Sequence, residues 1–428
     1  MRSSIIPREL NSHGRRRPGI IQNAARRAIL QRLGNIEHGY IELVDGAELH
    51  RFGAATYDGL HARVEVHDPQ FYADFALAGS VGAGEGYIHR TWDCDDLATL
   101  VRILLRNKDV LYGIDNAWAT LSKPALNLAH ALNRNSIAGS RKNISAHYDL
   151  GNDLFSLFLD QTMMYSCAIF APGVTSLKEA SDYKNDLICR KLDLGPDDHL
   201  LEIGTGWGGF AVHAARHYGC RVTTTTISKE QNALARTRIE AAGLSERITL
   251  LLQDYRDLQG QYDKIVSIEM IEAVGHQYLD TYFQRCSDLL KPDGLMLLQA
   301  ITINDQQYEA ARKTVDFIKR FIFPGSFLPS VTAMSDALTR MTDMRVFHID
   351  DIGPHYAETL RHWRARFVAE RDKVRRLGYP ESFVRMWEFY LCYCEGGFDE
   401  RHISDVQMLL AKPGNRRAPL VNALSVIS

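Results

Sequence analysis

Long hydrophobic runs and a recognisable export signal are both missing from this sequence of 428 residues. Its longest apolar stretches, such as Gly294 to Ile301 and Phe321 to Phe323, are far shorter than the roughly 20 residues that a helix needs to cross a bilayer. Three consecutive arginines, Arg15 to Arg17, are followed by no apolar segment with a small-residue cleavage site. The sequence therefore predicts neither a transmembrane span nor a secretory signal.

An excess of charge of one sign is also missing. There are 50 basic residues against 52 acidic ones, so the net charge is −2, and 45% of the residues are hydrophobic. This composition argues against a disordered chain and against a protein that binds polyanions through bulk charge. It is typical of an ordinary globular protein.

Cysteine is scarce, and the spacing of the cysteines suggests no disulfide framework. The seven cysteines are an odd number spread over the whole chain, which favours free thiols in a reducing compartment, and we expect a cytoplasmic protein. Cys392 and Cys394 are close together but lack a second Cys or His pair at zinc-binding spacing, so no metal site is predicted.

The length predicts one large and one smaller domain. Residues 1–18 lack periodicity and are predicted to be a mobile arm, and residues 19–110 are predicted to form a small α+β domain. A connector is expected over residues 111–145. Residues 146–428 are predicted to be the catalytic domain.

Two features of the N-terminal part have competing interpretations. The helical pattern from Ile20 to Leu33 carries Arg26, Arg27 and Arg32, which could contact an anionic lipid surface. A helix docked on its own domain with a solvated basic side is favoured over that. The glycine-rich stretch from Gly79 to Gly86 could cradle a phosphate, but no strand leads into it, so a structural turn is preferred.

From residue 200 onward, strand and helix patterns alternate. Strands are predicted at Leu200–Ile203, Arg221–Thr226, Ile248–Leu252, Lys264–Ile268 and Leu295–Ile301, with helices at Phe210–Tyr218, Lys229–Ala242 and Leu279–Leu290. This alternation indicates an α/β fold, a Rossmann-like, doubly wound and mainly parallel sheet. Its ligand is expected at the carboxyl ends of the strands.

The run from His199 to Gly209 passes from a strand through several glycines into a helix, as a ligand-binding turn does. Gly204, Gly206 and Gly209 also match the dinucleotide pattern, so a dehydrogenase is the rival interpretation. The next strand ends in Thr-Thr-Ile-Ser, without the acidic residue that a nicotinamide dinucleotide site usually has there. Glu202 before the glycines, and Asp254 with Tyr255 after a later strand, favour an adenosylmethionine-dependent methyltransferase instead.

Several longer motifs point to one family. They begin at His147, Met164, Leu201, Thr226, Leu252 and Phe321, and read HYDLGNDLF, MYSCA, LEIGTGWGG, TISKEQ, LQDYRD and FIFPG. Over residues 140–411 the chain resembles cyclopropane fatty acid synthases and the related mycolic acid methyltransferases. The resemblance implies a class I methyltransferase fold and S-adenosylmethionine as cofactor. It also implies cofactor contacts from Tyr165, Ser166, Gly204, Gly206, Thr226, Ile227, Gln231 and Tyr255.

The same resemblance implies a carbocation chemistry. An alkene is a poor nucleophile, so the methyl donor must be held close and water excluded while the cation forms. Aromatic rings that could face the cation are Tyr148, Tyr165, Phe317 and Tyr356, although each except Tyr356 is equally well explained as a core residue. Proton loss from the new methyl then closes a cyclopropane ring, whereas loss from a neighbouring chain carbon leaves a methylene branch.

In the family the base is held to be bicarbonate, and the resemblance implies that Cys167, Glu272 and Tyr356 help to bind it here. Cys394 matches a further cysteine of the family, for which packing is the preferred role. This chain departs from the pattern in one place, since Gln299 stands where the bacterial synthases have histidine. Glutamine donates a hydrogen bond to an anion but relays no proton, which weakens the expectation of bicarbonate and leans toward methylene branching.

The resemblance thus implies cyclopropanation of cis-unsaturated acyl chains of membrane phospholipids, with peripheral contact to the inner face of the membrane. Methylene- or methyl-branching of the chain is the alternative. A lipid-binding homologue with weak turnover and a small-molecule methyltransferase are disfavoured, and a homodimer is left open.

Overall fold

The computed structural model describes residues 18–55, 57–108 and 150–420. Tyr148, the predicted connector at 111–145 and all but the last residue of the predicted arm lie outside these ranges. The chain divides into two compact units, and Lys313–Gly325 and Leu360–His402 group with the N-terminal part in the first. The sequence analysis placed both segments in the catalytic domain, because separation along the chain does not show which core a later helix joins.

The elements are labelled in chain order. The helices are α1 (Ile20–Leu33), α2 (Gln70–Ile88), α3 (Leu97–Arg106), α4 (Asn152–Phe158), α5 (Leu177–Leu192), α6 (Gly209–Tyr218), α7 (Lys229–Ala241), α8 (Leu279–Leu289), α9 (Asp305–Lys313), α10 (Val331–Met341), α11 (Gly353–Ala369), α12 (Arg371–Arg376) and α13 (Glu381–Asp399). The strands are β1 (Gly39–Asp45), β2 (Glu48–Ala54), β3 (His61–Val66), β4 (Trp92–Cys94), β5 (His199–Ile203), β6 (Arg221–Thr226), β7 (Ile248–Leu252), β8 (Tyr262–Ile268), β9 (Leu290–Ile303), β10 (Arg345–Asp351) and β11 (Ile403–Ala411).

The first unit contains a four-stranded sheet in the order β2-β1-β3-β4. Every second residue of β1 and β3 is buried, as expected for strands with one face on a core. Helix α1 packs through Ala25, Ile29 and Leu33, which are buried, while Arg26 forms ion pairs with two acidic side chains of the sheet. The basic helix is therefore docked on its own unit, the interpretation that the sequence favoured.

The glycine-rich stretch differs from its prediction as a turn. Gly82, Gly84 and Gly86 lie within helix α2, which has a kink at Gly79. A Cβ atom on Gly84 would come within 2.2 Å of the Phe317 ring, so glycine is needed there for close packing. Gly84 thus allows close packing against Phe317 and Phe389, far away in the sequence, which a local sequence pattern does not reveal.

The second unit is built on a seven-stranded sheet in the order β10-β11-β9-β8-β5-β6-β7. Strands β5 to β9 pair in parallel, and β11 joins β9 antiparallel, which confirms the predicted mainly parallel sheet. The chain runs from β5 to one side through β6 and β7, then returns to the other side at β8. Such a reversal opens a crevice at the carboxyl end of β5, where ligands bind in this class of fold.

In the part of the chain that the structure describes, no helix is both long and apolar enough to span a bilayer.

Candidate functional site

The turn after β5 is shaped by glycines in a left-handed conformation. Gly204 and Gly206 have φ angles of +103° and +52°, values that side-chain-bearing residues rarely adopt. A Cβ atom on Gly206 would meet no other atom within 4 Å, so the space beside the turn is open. The turn thus offers its backbone to a ligand at the mouth of the sheet crevice.

Glu202 supports this turn from within the sheet. Its side chain is buried and accepts a 2.6 Å hydrogen bond from the Thr224 hydroxyl, which is 2.7 Å from the hydroxyl of Thr205 in the turn. Burial raises the pKa of Glu202 to about 8, although the bond from Thr224 opposes the shift. Glu202 therefore acts on the site by fixing the turn.

Two other predicted cofactor regions lie at the ends of β6 and β7. The Thr226 hydroxyl donates to the side chain of Gln231 at 2.8 Å. The Ser228 hydroxyl accepts a hydrogen bond from the backbone N–H of Gln231 and so caps the start of α7. Ile227, between them, is half-buried. These bonds give Thr226, Ile227 and Gln231 a fixed arrangement beside the crevice.

After β7, Asp254 and Tyr255 have different surroundings. The Asp254 carboxylate accepts hydrogen bonds from the side chain of Arg256 at 2.7 and 2.8 Å. The buried hydroxyl of Tyr255 has no hydrogen-bond partner among the described residues. Tyr255 is therefore the better placed of the two to donate to a bound ligand.

The segment with Tyr165 and Ser166 is tied to the glycine turn by aromatic packing. Phe155 of α4 packs on Tyr165 and on Trp207 of the turn, with ring centroids 5.2 and 4.9 Å apart. The Trp207 indole donates to Asn152 at 2.6 Å. Helix α4 therefore fixes the position of the Tyr165 segment relative to the turn.

The centre of the site is a carboxylate that the sequence analysis did not single out. Glu269 directly follows β8 and accepts three hydrogen bonds: from the Cys167 amide at 2.7 Å, the Gln299 side chain at 2.8 Å and the Tyr356 hydroxyl at 2.6 Å. The residue as a whole is half-buried. Three of the groups predicted to hold bicarbonate thus converge on a carboxylate of the chain itself.

Gln299 is oriented by a second row of polar residues. Its side-chain oxygen accepts from Gln407 at 3.0 Å, and the Gln407 oxygen in turn accepts from Lys191 at 2.6 Å. This chain of bonds turns the Gln299 NH₂ group toward Glu269 and toward Asp405, which is 2.9 Å away. Gln299 therefore acts as a donor to two carboxyl groups.

Glu272 lies beside this cluster with a different hydrogen-bonding pattern. One oxygen accepts from the Ile301 amide at 2.6 Å, and the other is buried without a partner among the described residues. Burial, followed by the charge of Glu269, raises the pKa of Glu272 to about 8. Burial also raises the pKa of Glu269, but Glu269 accepts three hydrogen bonds and Glu272 one, so Glu272 is the weaker candidate for the base.

The two predicted catalytic cysteines have neutral thiols. Cys167 is fully buried, and burial raises its thiol pKa well above the ordinary value. Its contribution to the site is therefore the hydrogen bond that its backbone N–H donates to Glu269. Cys394 lies in α13 of the first unit, where burial also raises the thiol pKa. Phe317, in the same unit, packs among Phe321, Phe389 and Tyr393. The core role is thus the simpler interpretation for Phe317.

Comparison with known proteins assigns the family. The sequence profile of the family described as mycolic acid cyclopropane synthetase matches residues 136–408. The tuberculostearic acid methyltransferase UfaA1 of Mycobacterium tuberculosis is 40% identical over 82% of this chain and 83% of its own length. The cyclopropane-fatty-acyl-phospholipid synthase of Escherichia coli K12 is 38% identical over 85% of this chain and 91% of its own.

Solved structures agree with this assignment. The crystal structure of the mycolic acid cyclopropane synthase CmaA1, complexed with SAH and CTAB, matches with a TM-score of 0.60 and 32% identity, over 64% of this chain and 98% of that one. The open space at Gly206 and the unpartnered Tyr255 hydroxyl fit a ligand such as adenosylmethionine. The chain therefore belongs to the mycolic acid cyclopropane synthetase family and is an adenosylmethionine-dependent methyltransferase.

Proposed function

We propose that this enzyme methylates the cis double bond of unsaturated acyl chains in phospholipids and closes the product to a cyclopropane ring. The observation that carries the proposal is the Glu269 carboxylate, held by three hydrogen bonds at the carboxyl end of β8 in a half-buried residue. A fixed carboxylate in such a place is a proton acceptor for a carbocation.

The cofactor, when bound, supplies the methyl group from its sulfonium. The residues of the chain then have separate tasks. Gly204 and Gly206 leave room for the cofactor, and the Tyr165 segment, braced by Phe155, helps to exclude water. Glu269 takes the proton that the cation must lose.

Glu269 replaces bicarbonate in this proposal. Cys167, Gln299 and Tyr356 already donate to its carboxylate, and a second anion beside it would be repelled in a poorly solvated site. We therefore expect turnover that does not depend on added bicarbonate.

Ring closure is favoured by where the base is anchored. Glu269 accepts a hydrogen bond from the backbone N–H of Cys167, which directly follows Tyr165 and Ser166, the two residues predicted to contact the cofactor. The base is thus anchored beside the segment that would hold the cofactor, so a methyl group delivered from that side would present its hydrogens to Glu269. Loss of a methyl proton leaves an electron pair that closes the ring.

A methylene-branched product is the second candidate. It is favoured by Gln299 in place of histidine and by the 40% identity to a protein named tuberculostearic acid methyltransferase. The two products have the same mass, because each gains one CH₂ unit. Mass alone therefore does not separate them.

The test supplies the purified enzyme with adenosylmethionine and vesicles of phospholipids with cis-monounsaturated chains, in degassed buffer with and without bicarbonate. Mass spectrometry measures CH₂ gain, and proton NMR separates ring methylene from exocyclic alkene signals. Ring signals without a bicarbonate requirement support the proposal. Alkene signals support the second candidate, and no CH₂ gain on any lipid contradicts both.

We also propose that the enzyme reaches its substrate as a peripheral protein on the inner face of the cytoplasmic membrane. Ile20 and Ile21 at the start of α1 are 90% and 55% exposed, although both are large and apolar. Arg27 and Arg32 lie on the same helix. Exposed apolar side chains near basic ones are typical of a helix end that touches an anionic lipid surface.

A further inference from the structure

Two carboxyl groups are bridged by one side-chain amide in the second unit. The Gln299 NH₂ group donates to Glu269 at 2.8 Å and to Asp405 of β11 at 2.9 Å. Asp405 is fully buried, and its other oxygen has no hydrogen-bond partner among the described residues. Nothing in the family resemblance assigned Asp405 a role.

Two carboxylates this close in a poorly solvated site do not both remain ionised. Glu269 accepts bonds from the Cys167 backbone and from the Tyr356 and Gln299 side chains, whereas Asp405 accepts one from Gln299 and has the Glu269 carboxyl and the Cys167 thiol as its other polar neighbours. The group with more donors is the better place for the negative charge. Burial and the charge of Glu269 raise the pKa of Asp405 well above the ordinary value.

We propose that Asp405 is a positioning residue that keeps one proton and shares it with Glu269, so that the pair carries a single negative charge. Glu269, which is half-buried, is the acceptor, and the buried Asp405 supports it from behind. The proposal deepens the proposed function and rests on Glu269 being the base.

Lys184 supplies the balancing positive charge. It is fully buried in α5 and donates at 3.1 Å to Ser166, the residue before Cys167. Burial lowers the pKa of Lys184, while the charges of Glu269, Cys167 and Asp405 oppose that shift. The other ionisable groups around the pair are Glu272, the Cys167 thiol and the Tyr356 hydroxyl. A second cation, Lys191, reaches Gln299 through Gln407 but is already paired with Asp350.

The proton step balances on the pair. A C–H bond of the methylated cation breaks, its electrons form the ring bond, and its proton passes to Glu269. The pair is then neutral with two protons, and it returns one proton to solvent before the next turnover.

The first experiment compares the variants Asp405→Asn and Glu269→Gln on phospholipid vesicles. Asparagine imitates a protonated aspartate but has no acidic proton to share, so Asp405→Asn should lower turnover by less than Glu269→Gln does and leave the acidic limb of the pH–rate profile in place. Glu269→Gln should lose roughly 10²- to 10⁴-fold in rate. If the limb of Asp405→Asn moves to lower pH, two full charges were present and the shared proton is refuted.

If Asp405→Asn is inactive and Glu269→Gln keeps its activity, then Asp405 is the proton acceptor, and this outcome also refutes the proposal.

Product formation by the wild type tests the proposed function separately, since the enzyme can form the ring whether or not Asp405 holds a proton. A measurement on the wild type covers the case in which Asp405→Asn fails to fold. Infrared spectra with isotope-labelled aspartate should show a protonated aspartate band at neutral pH that survives to higher pH, and its absence overturns the proposal.

The second experiment replaces Lys184 with methionine, which has a similar length but no charge. Loss of the cation raises the pKa of Glu269, so the acidic limb should move to higher pH, and calorimetry measures separately any change in adenosylmethionine affinity caused by the lost bond to Ser166. In the Lys184→Arg variant, which keeps the positive charge, the acidic limb should lie near its wild-type position. An unmoved limb in a folded Lys184→Met enzyme refutes the balancing role.

Discussion

At the scale of single residues, Glu269 has a backbone conformation that side-chain-bearing residues rarely adopt. Its φ angle is +49°, in the left-handed region, which costs about 1 to 3 kcal/mol for most residues. The conformation is retained together with the bonds from Cys167, Gln299 and Tyr356. Strain held by such bonds is common where a side chain must point at a reacting group.

The first prediction separates the two glutamates after β8. Glu269→Gln should lower turnover by roughly 10²- to 10⁴-fold, because the proton acceptor is lost. Glu272→Gln should cost about tenfold or less, the size of one hydrogen bond, because Glu272 accepts a single bond, from the Ile301 backbone N–H.

Single-turnover rates on vesicles, with calorimetric adenosylmethionine affinity as control, check this prediction. Both variants should bind the cofactor as the wild type does. A larger loss in Glu272→Gln than in Glu269→Gln would place the base at Glu272, as the sequence analysis did.

At the scale of elements, the glycine turn between β5 and α6 is held in place by contacts on three sides. Thr224 is hydrogen-bonded both to Thr205 of the turn and to Glu202 of β5. Trp207 of the turn packs on Phe155 of α4, and Gly204 lies beside Met270, which follows β8. Each support comes from a different element. The turn is therefore held in place before any ligand arrives, which lowers the cost of ordering it on binding.

The second prediction is that Gly206→Val abolishes adenosylmethionine binding. Valine is strained at a φ of +52°, and its side chain would fill the open space beside the turn. The matched control is Gly243→Val, because Gly243 has a φ of +68° and equally open surroundings after α7.

Both variants should lose about 1 to 3 kcal/mol of unfolding free energy, but only Gly206→Val should lose the binding heat in calorimetry. Binding at wild-type affinity by Gly206→Val would show that the cofactor does not approach this turn.

At the scale of the whole molecule, the proposed phospholipid substrate requires contact with a membrane, because its acyl chains lie inside a bilayer. The first unit carries the exposed apolar start of α1, and the second unit carries the site. Arg26 is already paired with Asp45 and Glu48, so the exposed Arg27 is the better candidate for contact with lipid head groups. Basic residues near an anionic membrane each contribute about 1 kcal/mol.

The third prediction concerns this helix end. The double variant Ile20→Ser/Ile21→Ser should bind anionic vesicles more weakly in a sedimentation assay and show lower turnover on them. Leu49→Ser, at an exposed residue of β2, should behave as the wild type. Turnover on detergent-dispersed substrate should be equal in all three proteins. Unchanged vesicle binding by the double variant would remove α1 from the membrane contact.

Much of the fold could be predicted from local patterns. The strands Arg221–Thr226 and Ile248–Leu252 and the helix Ile20–Leu33 have the predicted bounds, because continuous β-branched runs and a 3.6-residue apolar period are local signals. Strand β2 was missed, since it is mostly exposed and lacks such a pattern. The grouping of α12 and α13 with the N-terminal unit was missed for a different reason, since it depends on contacts between distant segments.

The sequence by itself determined the fold class, the glycine turn and the family, because these are encoded in contiguous motifs whose dihedral and packing needs are local. It also brought Cys167, Gln299 and Tyr356 to attention as one anion site. Only the tertiary structure decided what they hold. Cys167, Glu269, Gln299, Tyr356 and Asp405 come from five separate segments, and Glu269 became recognisable as the central carboxylate once the sheet and α11 placed their donors around it. Burial, the quantity that decides which carboxyl group keeps a proton, exists only in the folded chain.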